Sequence, residues 1–309
     1  MRVLVTGGAG FIGSHIAAAH LDRGDSVLIV DNLYAGCRGS VPEGAQFAEA
    51  DITDQETMKR LWREFRPEVV SHHAAQIDVR KSVEDPAFDA QVNVLGSLNV
   101  ISNCLEFGTK KLIFASTGGA IYGETETLPT PEDVSVRPLS LYGTAKYCVE
   151  QYLEAFGRLE GLDYTILRYG NVYGPGQRTD GEAGVVAIFA GLMLEDSQPT
   201  IFGCGDKTRD YVYVQDVVEA GLAAIEREGT GPYNIGTGIQ TSDQQVFDQI
   251  AKAVGYDGKP IYAEERKGEI HHSALDCSLA RAELSWSAHT CFADGIARTV
   301  EHIRQSALR

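Results

Sequence analysis

Two residues four positions apart, Tyr142 and Lys146, carry the functional groups of a general acid–base pair. Residues at positions i and i+4 of a helix share a face, so the lysine ammonium can lie close to the phenol. A free tyrosine titrates at about pH 10, and a neighbouring positive charge favours the phenolate and moves its pKa towards the working range of a base. A solvated pair on a surface helix has the same spacing, so the surrounding elements must distinguish the two interpretations.

A glycine-rich run near the amino terminus has the spacing of a dinucleotide-binding turn. Directly after the first apolar stretch come three glycines, three positions apart, at Gly7, Gly10 and Gly13. Such glycines permit a tight turn and let the main chain and a helix amino terminus approach a pyrophosphate. Asp31 ends the next apolar stretch, where a carboxylate accepts hydrogen bonds from the adenosine ribose and repels a 2′-phosphate. The pattern predicts NAD rather than NADP; the alternative is that Asp31 only caps a turn with Asn32.

The first 168 residues alternate between short apolar runs and helical patterns. Six runs have the length and composition of buried strands, at residues 3–6, 27–31, 47–51, 68–72, 111–116 and 164–169. The longest helical pattern covers about residues 86–107, with Phe88, Val92, Leu95, Asn99 and Ser102 at helical spacing. Near-continuous apolar strands separated by helices indicate a parallel sheet covered on both faces. We therefore predict a doubly wound α/β (Rossmann) domain over residues 1–168, to which some later segments return, and a smaller carboxy-terminal domain over 169–309.

The composition excludes several classes of protein. The 309 residues contain 27 Lys and Arg against 43 Asp and Glu, and the formal charge of −16 argues against nucleic acid as the main partner. The longest apolar run, residues 185–194, is about half of a membrane span and favours a core helix. We expect no signal peptide, and six scattered cysteines without a C-x-x-C pair indicate reduced thiols in the cytoplasm. Two His-His pairs lack a third ligand at suitable spacing, so we expect no metal.

Taken together, the motifs resemble those of the extended short-chain dehydrogenases/reductases, and within them the UDP-glucose 4-epimerases of the NAD-dependent epimerase/dehydratase family. The resemblance spans nearly the whole chain, and the matching segments are residues 7–15, 31–33, 51–52, 73–76, 93–96, 142–146, 167–175 and 209–212. It implies a Rossmann fold with tightly held NAD and an isomerase that acts on a UDP-sugar. Such an enzyme inverts the carbon-4 hydroxyl through a transient 4-keto sugar, while the hydride is held on the bound NAD.

The resemblance also implies a role for each matching residue of the cofactor site. Asp51 and Ile52 should flank the adenine, residues 74–76 should line the cofactor with main chain, and Asn93 should support the site. Tyr142 would be the acid/base, and Lys146 its electrostatic partner and a ligand of the nicotinamide ribose. The implied cofactor contacts are Gly7, Gly10, Phe11, Ile12, Gly13, Asp31, Asn32, Asp51, Ile52, Ala74, Ala75, Gln76, Asn93, Tyr142 and Lys146.

The family places a Ser or Thr hydroxyl at the end of the fifth strand, where it contacts the sugar oxygen. Counting back 25 residues from Tyr142 gives Thr117, whereas counting back four from Tyr122 gives Gly118, which has no hydroxyl. A shift of one residue in the loop reconciles the two counts. The resemblance therefore implies Thr117 as the third catalytic residue, with Ser116 as the second candidate.

On the substrate side, the chain carries the cations that a diphosphate needs in an acidic protein. Arg209 and Arg266 match the family's diphosphate and uridine-ribose contacts, although each could instead be a solvated surface charge. Glu269 stands where an aspartate is usual. The remaining implied substrate contacts are Thr117, Asn171, Ile201, Phe202 and Ser273; in the family, the position of Ser273 controls the space around carbon 2 of the sugar.

Several other activities use similar motifs. The 4,6-dehydratases carry Asp-Glu after the threonine, whereas Gly118-Gly119 stands here and supplies no proton carrier for the elimination of water. A UDP-N-acetylglucosamine 4-epimerase, a UDP-glucuronate 4-epimerase or decarboxylase, and a dehydrogenase that releases NADH remain as alternatives. A non-catalytic dinucleotide sensor is disfavoured, because it needs none of the three catalytic residues. The resemblance further implies a homodimer formed through the helices near residues 86–107 and 140–160.

Overall fold

The computed structural model describes residues 1–179, 184–227, 229–265 and 270–307. Its strands are β1 (Arg2–Thr6), β2 (Ser26–Asp31), β3 (Gln46–Glu49), β4 (Val69–His72), β5 (Lys111–Thr117), β6 (Tyr164–Tyr169), β7 (Asn171–Tyr173), β8 (Thr200–Phe202), β9 (Thr208–Arg209), β10 (Tyr211–Tyr213), β11 (Gly231–Ile235), β12 (Thr241–Ser242) and β13 (Ile261–Ala263). Its α-helices are α1 (Phe11–Asp22), α2 (Gln55–Phe65), α3 (Val79–Glu84), α4 (Pro86–Ala90), α5 (Ser97–Phe107), α6 (Gly118–Ile121), α7 (Leu141–Glu160), α8 (Val185–Leu194), α9 (Val214–Glu226), α10 (Asp243–Val254), α11 (Ser278–Glu283) and α12 (Phe292–Ala307).

The main sheet has seven strands in the order β11-β6-β5-β4-β1-β2-β3. Strand β1 pairs in parallel with both β2 and β4, and Thr6 at its end is opposite Val30 on one side and His72 on the other. The strand order therefore reverses between β1 and β4, which is where ligands bind in open α/β sheets. The predicted doubly wound α/β fold is confirmed.

By its internal contacts the chain forms two compact units. The first comprises residues 1–117, 140–168 and 218–233, and the second comprises 118–139, 169–217 and 234–309. The core of the first unit packs apolar side chains of β1, β2, β4, β5 and β6 against α1, α2, α5 and α7. The core of the second gathers α8, α10 and α12, so the apolar run at residues 185–194 is a core helix as predicted. Within the described residues, no helix combines the length and apolar character that crossing a bilayer requires.

Two helical segments position the side chains that matter for chemistry. Helix α7 begins where the Ser140 hydroxyl accepts a hydrogen bond from the Gly143 N–H, and it ends at Gly161, whose φ is 69°. The helical pattern over residues 86–107 is more complex than one α-helix, because a π-helical segment, Gln91–Gly96, lies between α4 and α5. Its wider turns bury Asn93 and leave Leu95 exposed. Such π-helical insertions occur frequently at functional sites.

Candidate active site

Strand β1 leads into a turn whose shape requires glycine. Gly7 has a φ of 67°, in the left-handed region, and its carbonyl accepts a hydrogen bond from the Gly10 N–H at 3.1 Å. Gly10 is the N-cap of α1 and provides no side-chain hydrogen bond to this helix end. The N–H groups of the first turn, those of Phe11, Ile12 and Gly13, are therefore placed to bind an anion.

Side chains would not fit on the inner surface of this turn. A Cβ at Gly13 would lie 2.2 Å from the carbonyl oxygen of Gly7, and one at Gly7 would lie 2.6 Å from the nitrogen of Ala74. A Cβ at Gly8 would lie 2.7 Å from the Ile29 side chain. The three glycines thus let α1, β2 and the segment after β4 pack closely against the turn, which is one role of the glycines in a dinucleotide-binding turn, and the residues present fit a dinucleotide.

Asp31, at the end of β2, is joined to the glycine turn. Its Oδ2 accepts a hydrogen bond from the Ala9 N–H at 3.0 Å, and its Oδ1 accepts one from the Leu33 N–H at 2.8 Å. The side chain of Asn32 donates to a carboxylate oxygen of Asp51 at 2.8 Å. The predicted adenosine-binding side chains of both strand ends therefore lie on one rim, and the negative charge of Asp31 there disfavours a 2′-phosphate.

The segment after β3 is fixed from two sides. Asp51 accepts hydrogen bonds from the main-chain N–H and the hydroxyl of Thr53, at 2.8 and 2.6 Å. The carbonyl of the buried Ile52 accepts a hydrogen bond from the Asn99 side chain at 2.7 Å. A Cβ at Gly96 would lie 2.7 Å from the end of the Ile52 side chain, so the π-helical segment approaches this residue closely.

A buried polar network holds the segment after β4, which contains Ala74, Ala75 and Gln76. The side chain of Asn93 donates to the Gln76 carbonyl and accepts from the Gln76 N–H, both at 2.9 Å. Asn93 and the Gln76 side chain both donate to Asp89 Oδ1, again at 2.9 Å. The N–H of Ala74 donates to the Thr6 hydroxyl at 3.2 Å. Asn93 thus fixes the main chain at Gln76 through two hydrogen bonds.

Helix α7 presents Tyr142 and Lys146 one turn apart, beside the end of β5. The Nζ of Lys146 donates to the Ala115 carbonyl at 2.9 Å and lies 4.8 Å from the centre of the Phe114 ring. The side chain is 4% exposed. This burial lowers the pKa of Lys146 to about 8, although the negative charges of Asp89 and Glu150 act in the opposite direction.

Tyr142 does not show the lowered pKa that the sequence analysis expected from its lysine neighbour. Its N–H donates to the hydroxyl of Ser82 at 3.3 Å, and its ring is half-buried. Burial first, and the negative charge of Asp89 second, raise the pKa of Tyr142 above its ordinary value. The residues of the chain by themselves therefore hold Tyr142 as the protonated phenol, ready to act as an acid.

The two candidate hydroxyls at the end of β5 have different surroundings. Ser116 is 4% exposed, and its hydroxyl donates to the buried carboxylate of Glu150 at 2.5 Å. Thr117, the next residue, is half-buried. Because the Ser116 hydroxyl hydrogen is already bonded inside the protein, Thr117 is the better placed of the two to bind a substrate oxygen.

Apart from Thr117, the described substrate-side candidates belong to the second unit. Arg209 lies in β9, and its Nη1 donates to the Thr208 carbonyl at 2.8 Å; the N–H of Ser273 donates to the same carbonyl at 3.2 Å. The structure therefore brings Arg209 and Ser273 together. Asn171 begins β7, which pairs with β10, and the Asn171 N–H donates to the Asp210 carbonyl at 2.6 Å.

The other substrate-side candidates differ in their surroundings. The Ile201 side chain packs in the core of the second unit, and the neighbouring Phe202 is half-buried. Arg266 and Glu269, the remaining two, lie outside the described residues.

Several buried polar residues next to the candidate site were missed by sequence reasoning. Asp89 binds both Gln76 and Asn93, and Glu150 binds Ser116 and Arg168. The only sequence signal for Glu150 was its position, four residues after Lys146 and thus on the same helix face. Asp89 is likewise four residues from Asn93, but its contact with Gln76 and that of Arg168 with Glu150 join residues from different elements, which only the fold brings together.

Comparison with known proteins gives a consistent family. The model of the NAD dependent epimerase/dehydratase family matches residues 3–236. A UDP-glucose 4-epimerase of Mycolicibacterium smegmatis is 42% identical, over 99% of this chain and 100% of the relative. The crystal structure of a UDP-glucose 4-epimerase from Thermotoga maritima with UDP-glucose has a TM-score of 0.98 and 47% identity, covering 99% and 100% of the two chains.

A second solved structure, the UDP-glucose 4-epimerase of Thermus thermophilus in complex with NAD, has a TM-score of 0.93 and 47% identity. It covers 98% of this chain and 99% of its own. With a family model that matches most of its length and relatives of this similarity over nearly all of it, the chain belongs to the NAD dependent epimerase/dehydratase family.

Proposed function

We propose that the protein is a UDP-glucose 4-epimerase, which interconverts UDP-glucose and UDP-galactose with NAD as its bound cofactor. The observation that carries the proposal is the hydrogen bond from Lys146, one turn from Tyr142 on α7, to the end of β5, the strand that carries Thr117 in a dinucleotide-binding unit. Relatives with 42% and 47% identity over nearly the whole chain carry this activity in their names. The first unit would bind NAD, and the second would bind the UDP-sugar.

The cofactor would be held by the bare main chain of the glycine turn, by the N–H groups of the first turn of α1, and by Asp31. When bound, NAD supplies the hydride acceptor for carbon 4 of the sugar. Since epimerisation returns the hydride to the same carbon, the protein needs to retain NAD rather than exchange it. The first-turn N–H groups and the close main-chain approach suit a firmly held pyrophosphate.

Tyr142 and Lys146 would move and hold one proton. Oxidation of the sugar at carbon 4 releases a proton from its hydroxyl, and return of the hydride takes a proton back, so one residue that both accepts and donates is sufficient. To accept the proton, Tyr142 must first give its own proton to solvent, and the Lys146 ammonium one turn away on α7 favours the phenolate that results. The phenolate then takes the proton of the sugar hydroxyl and gives it back when the hydride returns. The Thr117 hydroxyl would bind the same sugar oxygen and hold it towards Tyr142.

The residues after Thr117 disfavour the related dehydration. Elimination of water from a neighbouring carbon requires a second acid and a second base close to the sugar. Gly118 and Gly119 follow Thr117 directly and begin α6, so this stretch offers neither. The arrangement therefore supports inversion at carbon 4 without loss of water.

The experiment that tests this function is incubation of the purified protein with UDP-galactose without added NAD. We expect UDP-glucose to form, identified by the proton couplings of the sugar ring in NMR spectra, with no build-up of NADH absorbance at a level comparable to product. The matched control is the variant Tyr142→Phe, which keeps the ring. Continuous release of NADH would instead identify a dehydrogenase, and product from UDP-glucuronate alone would identify a uronate 4-epimerase or decarboxylase.

A second substrate class is favoured by the small side chain of Ser273. Ser273 is half-buried and neighbours Arg209 through the Thr208 carbonyl. A serine is smaller than a tyrosine by a whole aromatic ring, which leaves room for an acetamido group on carbon 2. We expect activity on UDP-N-acetylgalactosamine as well as UDP-galactose, and we expect Ser273→Tyr to abolish only the former. A wild-type protein that turns over UDP-galactose and not the acetylated sugar would contradict this assignment.

We also propose that the protein is a homodimer formed by α7 and the helical segment that ends in α5. Four large apolar side chains are exposed there: Leu95, Leu141, Tyr152 and Leu159 are 59%, 42%, 40% and 79% accessible. Apolar side chains of this size on two helices of one unit are typical of a surface that a second copy covers. Light scattering after size exclusion tests this: Leu159→Lys should yield monomers where the wild type yields dimers.

Six free cysteines support a reducing, cytoplasmic location.

A further inference from the structure

A buried ion pair on α7 takes no part in the chemistry derived above. Glu150 and Arg168 are 2% and 5% exposed. Arg168 donates from Nη2 to Oε2 of Glu150 at 2.6 Å and from Nε to both carboxylate oxygens at 3.2 Å. Removing two charges from water is costly, and a buried pair is seldom more stabilising than apolar residues of the same volume. Stability alone therefore does not account for this pair.

The pair is connected to the candidate active site through one residue. Glu150 Oε1 accepts the hydrogen bond of the Ser116 hydroxyl at 2.5 Å. The residue before Ser116 is Ala115, whose carbonyl accepts the hydrogen bond of the Lys146 ammonium at 2.9 Å. The residue after it is Thr117. One carboxylate thus holds the peptide segment that carries both the acceptor for Lys146 and the candidate substrate-binding hydroxyl.

We propose that Glu150 is a positioning residue for the epimerase reaction: its carboxylate, oriented by Arg168, fixes Ser116 and so places Thr117 and the Lys146 ammonium relative to Tyr142. The inference rests on the proposed function for its catalytic readout. Tyr142, Lys146 and Glu150 follow one another at intervals of four residues on one face of α7, so the carboxylate lies directly below the catalytic pair.

The negative charge of Glu150, like its hydrogen bond to Ser116, supports Lys146 in its ammonium form at the end of β5. Lys146 is faced by Asp89 from α4, by His72 and His73 from the end of β4, and by Glu150 on its own helix. Burial lowers the pKa of His72 well below its ordinary value and that of His73 to about 3, so neither histidine is charged at neutral pH. The two carboxylates are therefore the groups that favour the ammonium form of Lys146.

Three variants separate positioning from a merely structural role. Ser116→Ala removes the link and leaves the ion pair intact; we expect kcat to fall about 10-fold with little change in KM. Glu150→Gln keeps an acceptor for Ser116 but removes the negative charge that faces both Arg168 and Lys146. We expect the pH at which kcat of this variant declines on the alkaline side to fall by about one unit, because a negative charge close to Lys146 has been removed. Glu154→Gln, one turn further along α7 in an exposed pair with Arg158, is the control and should leave kcat and the pH profile unchanged.

A readout that needs no substrate keeps this inference separate from the proposed function. In protein labelled with carbon-13 at Cε of its nine lysines, the Lys146 resonance reports the charge of its own side chain and is assigned with Lys146→Arg. Its titration midpoint should be lower in Glu150→Gln than in the wild type and unchanged in Glu154→Gln. Should Glu150→Gln fail to fold, Ser116→Ala still decides: a wild-type kcat in that variant overturns the proposal. An unshifted Lys146 midpoint in folded Glu150→Gln also overturns it.

Discussion

Gly13→Ala is the smallest change that tests whether the glycine turn holds the cofactor. The added Cβ would lie 2.2 Å from the Gly7 carbonyl oxygen and 2.9 Å from the Gly8 Cα, and both atoms belong to the main chain. Ordinary contact begins at about 3.4 Å, so α1 has to move by about 1 Å away from the turn. Overpacking of this kind costs about 1–3 kcal/mol. If a movement of the anion-binding turn relieves this overpacking, the Kd for NAD should rise about 5- to 150-fold.

A graded comparison strengthens the test. At Gly10 the added Cβ would lie 3.2 Å from the Gly7 carbonyl oxygen, so a shift of a few tenths of an ångström suffices and NAD binding should weaken only slightly. Gly108→Ala is the control for general strain, because Gly108 ends α5 with a φ of 69° and has open space around it. An alanine in the left-handed backbone conformation costs about 1–2 kcal/mol, which should lower the Tm without weakening the binding of NAD.

The assay measures NAD released from each purified variant by denaturation, per mole of chain, together with the Tm of the same sample. We expect NAD occupancy to decrease in the order wild type, Gly10→Ala, Gly13→Ala, with Gly108→Ala equal to the wild type. Wild-type occupancy in Gly13→Ala would refute the steric argument. Loss of NAD from Gly108→Ala would show that occupancy follows overall stability instead of the shape of the turn.

Three further predictions concern the catalytic residues. Tyr142→Phe should lower kcat about 10²- to 10⁴-fold and leave NAD occupancy unchanged, whereas near-normal turnover would exclude Tyr142 as the acid/base. Thr117→Val should lower kcat more than Ser116→Ala does, and the reverse order in steady-state assays would reassign the substrate hydroxyl to Ser116. The ammonium of Lys146 is present below its pKa of about 8 and is lost as the pH rises through that value. The pH profile of kcat should therefore decline above about pH 8, and a flat profile to pH 10 would count against a catalytic role for this charge.

The parts of the fold that are local in the sequence could be predicted from it. Apolar runs give the positions of six strands, and the glycine spacing gives the turn after β1, because each depends on residues within a few positions of one another. The interruption of residues 86–107 by a π-helical segment could not be predicted from periodicity. It depends on Asn93 reaching Gln76 and Asp89, and on the close approach of Gly96 to Ile52.

The electrostatics of the site were the hardest part to predict. From spacing alone, Lys146 was expected to lower the pKa of Tyr142. In the structure, burial and Asp89 raise it, and nothing in the chain near Tyr142 identifies Asp89 as its neighbour. The same holds for Ser116: a hydroxyl at a strand end looks available in the sequence, and only the packing of α7 against β5 shows it bonded to Glu150.

The burial of Lys146 and the carboxylates that face it together determine how much of its ammonium is present at neutral pH. Desolvation of Lys146 disfavours its ammonium, and with a pKa of about 8 the charged form is still in about tenfold excess at pH 7. Without the opposing carboxylates the pKa of Lys146 would be lower still, and less of its ammonium would be present at neutral pH. Asp89, however, also raises the pKa of Tyr142, so the carboxylate that keeps Lys146 charged keeps Tyr142 protonated. Glu150 lies one turn from Lys146 and two turns from Tyr142 on α7, so its negative charge favours the ammonium more strongly than it opposes the phenolate.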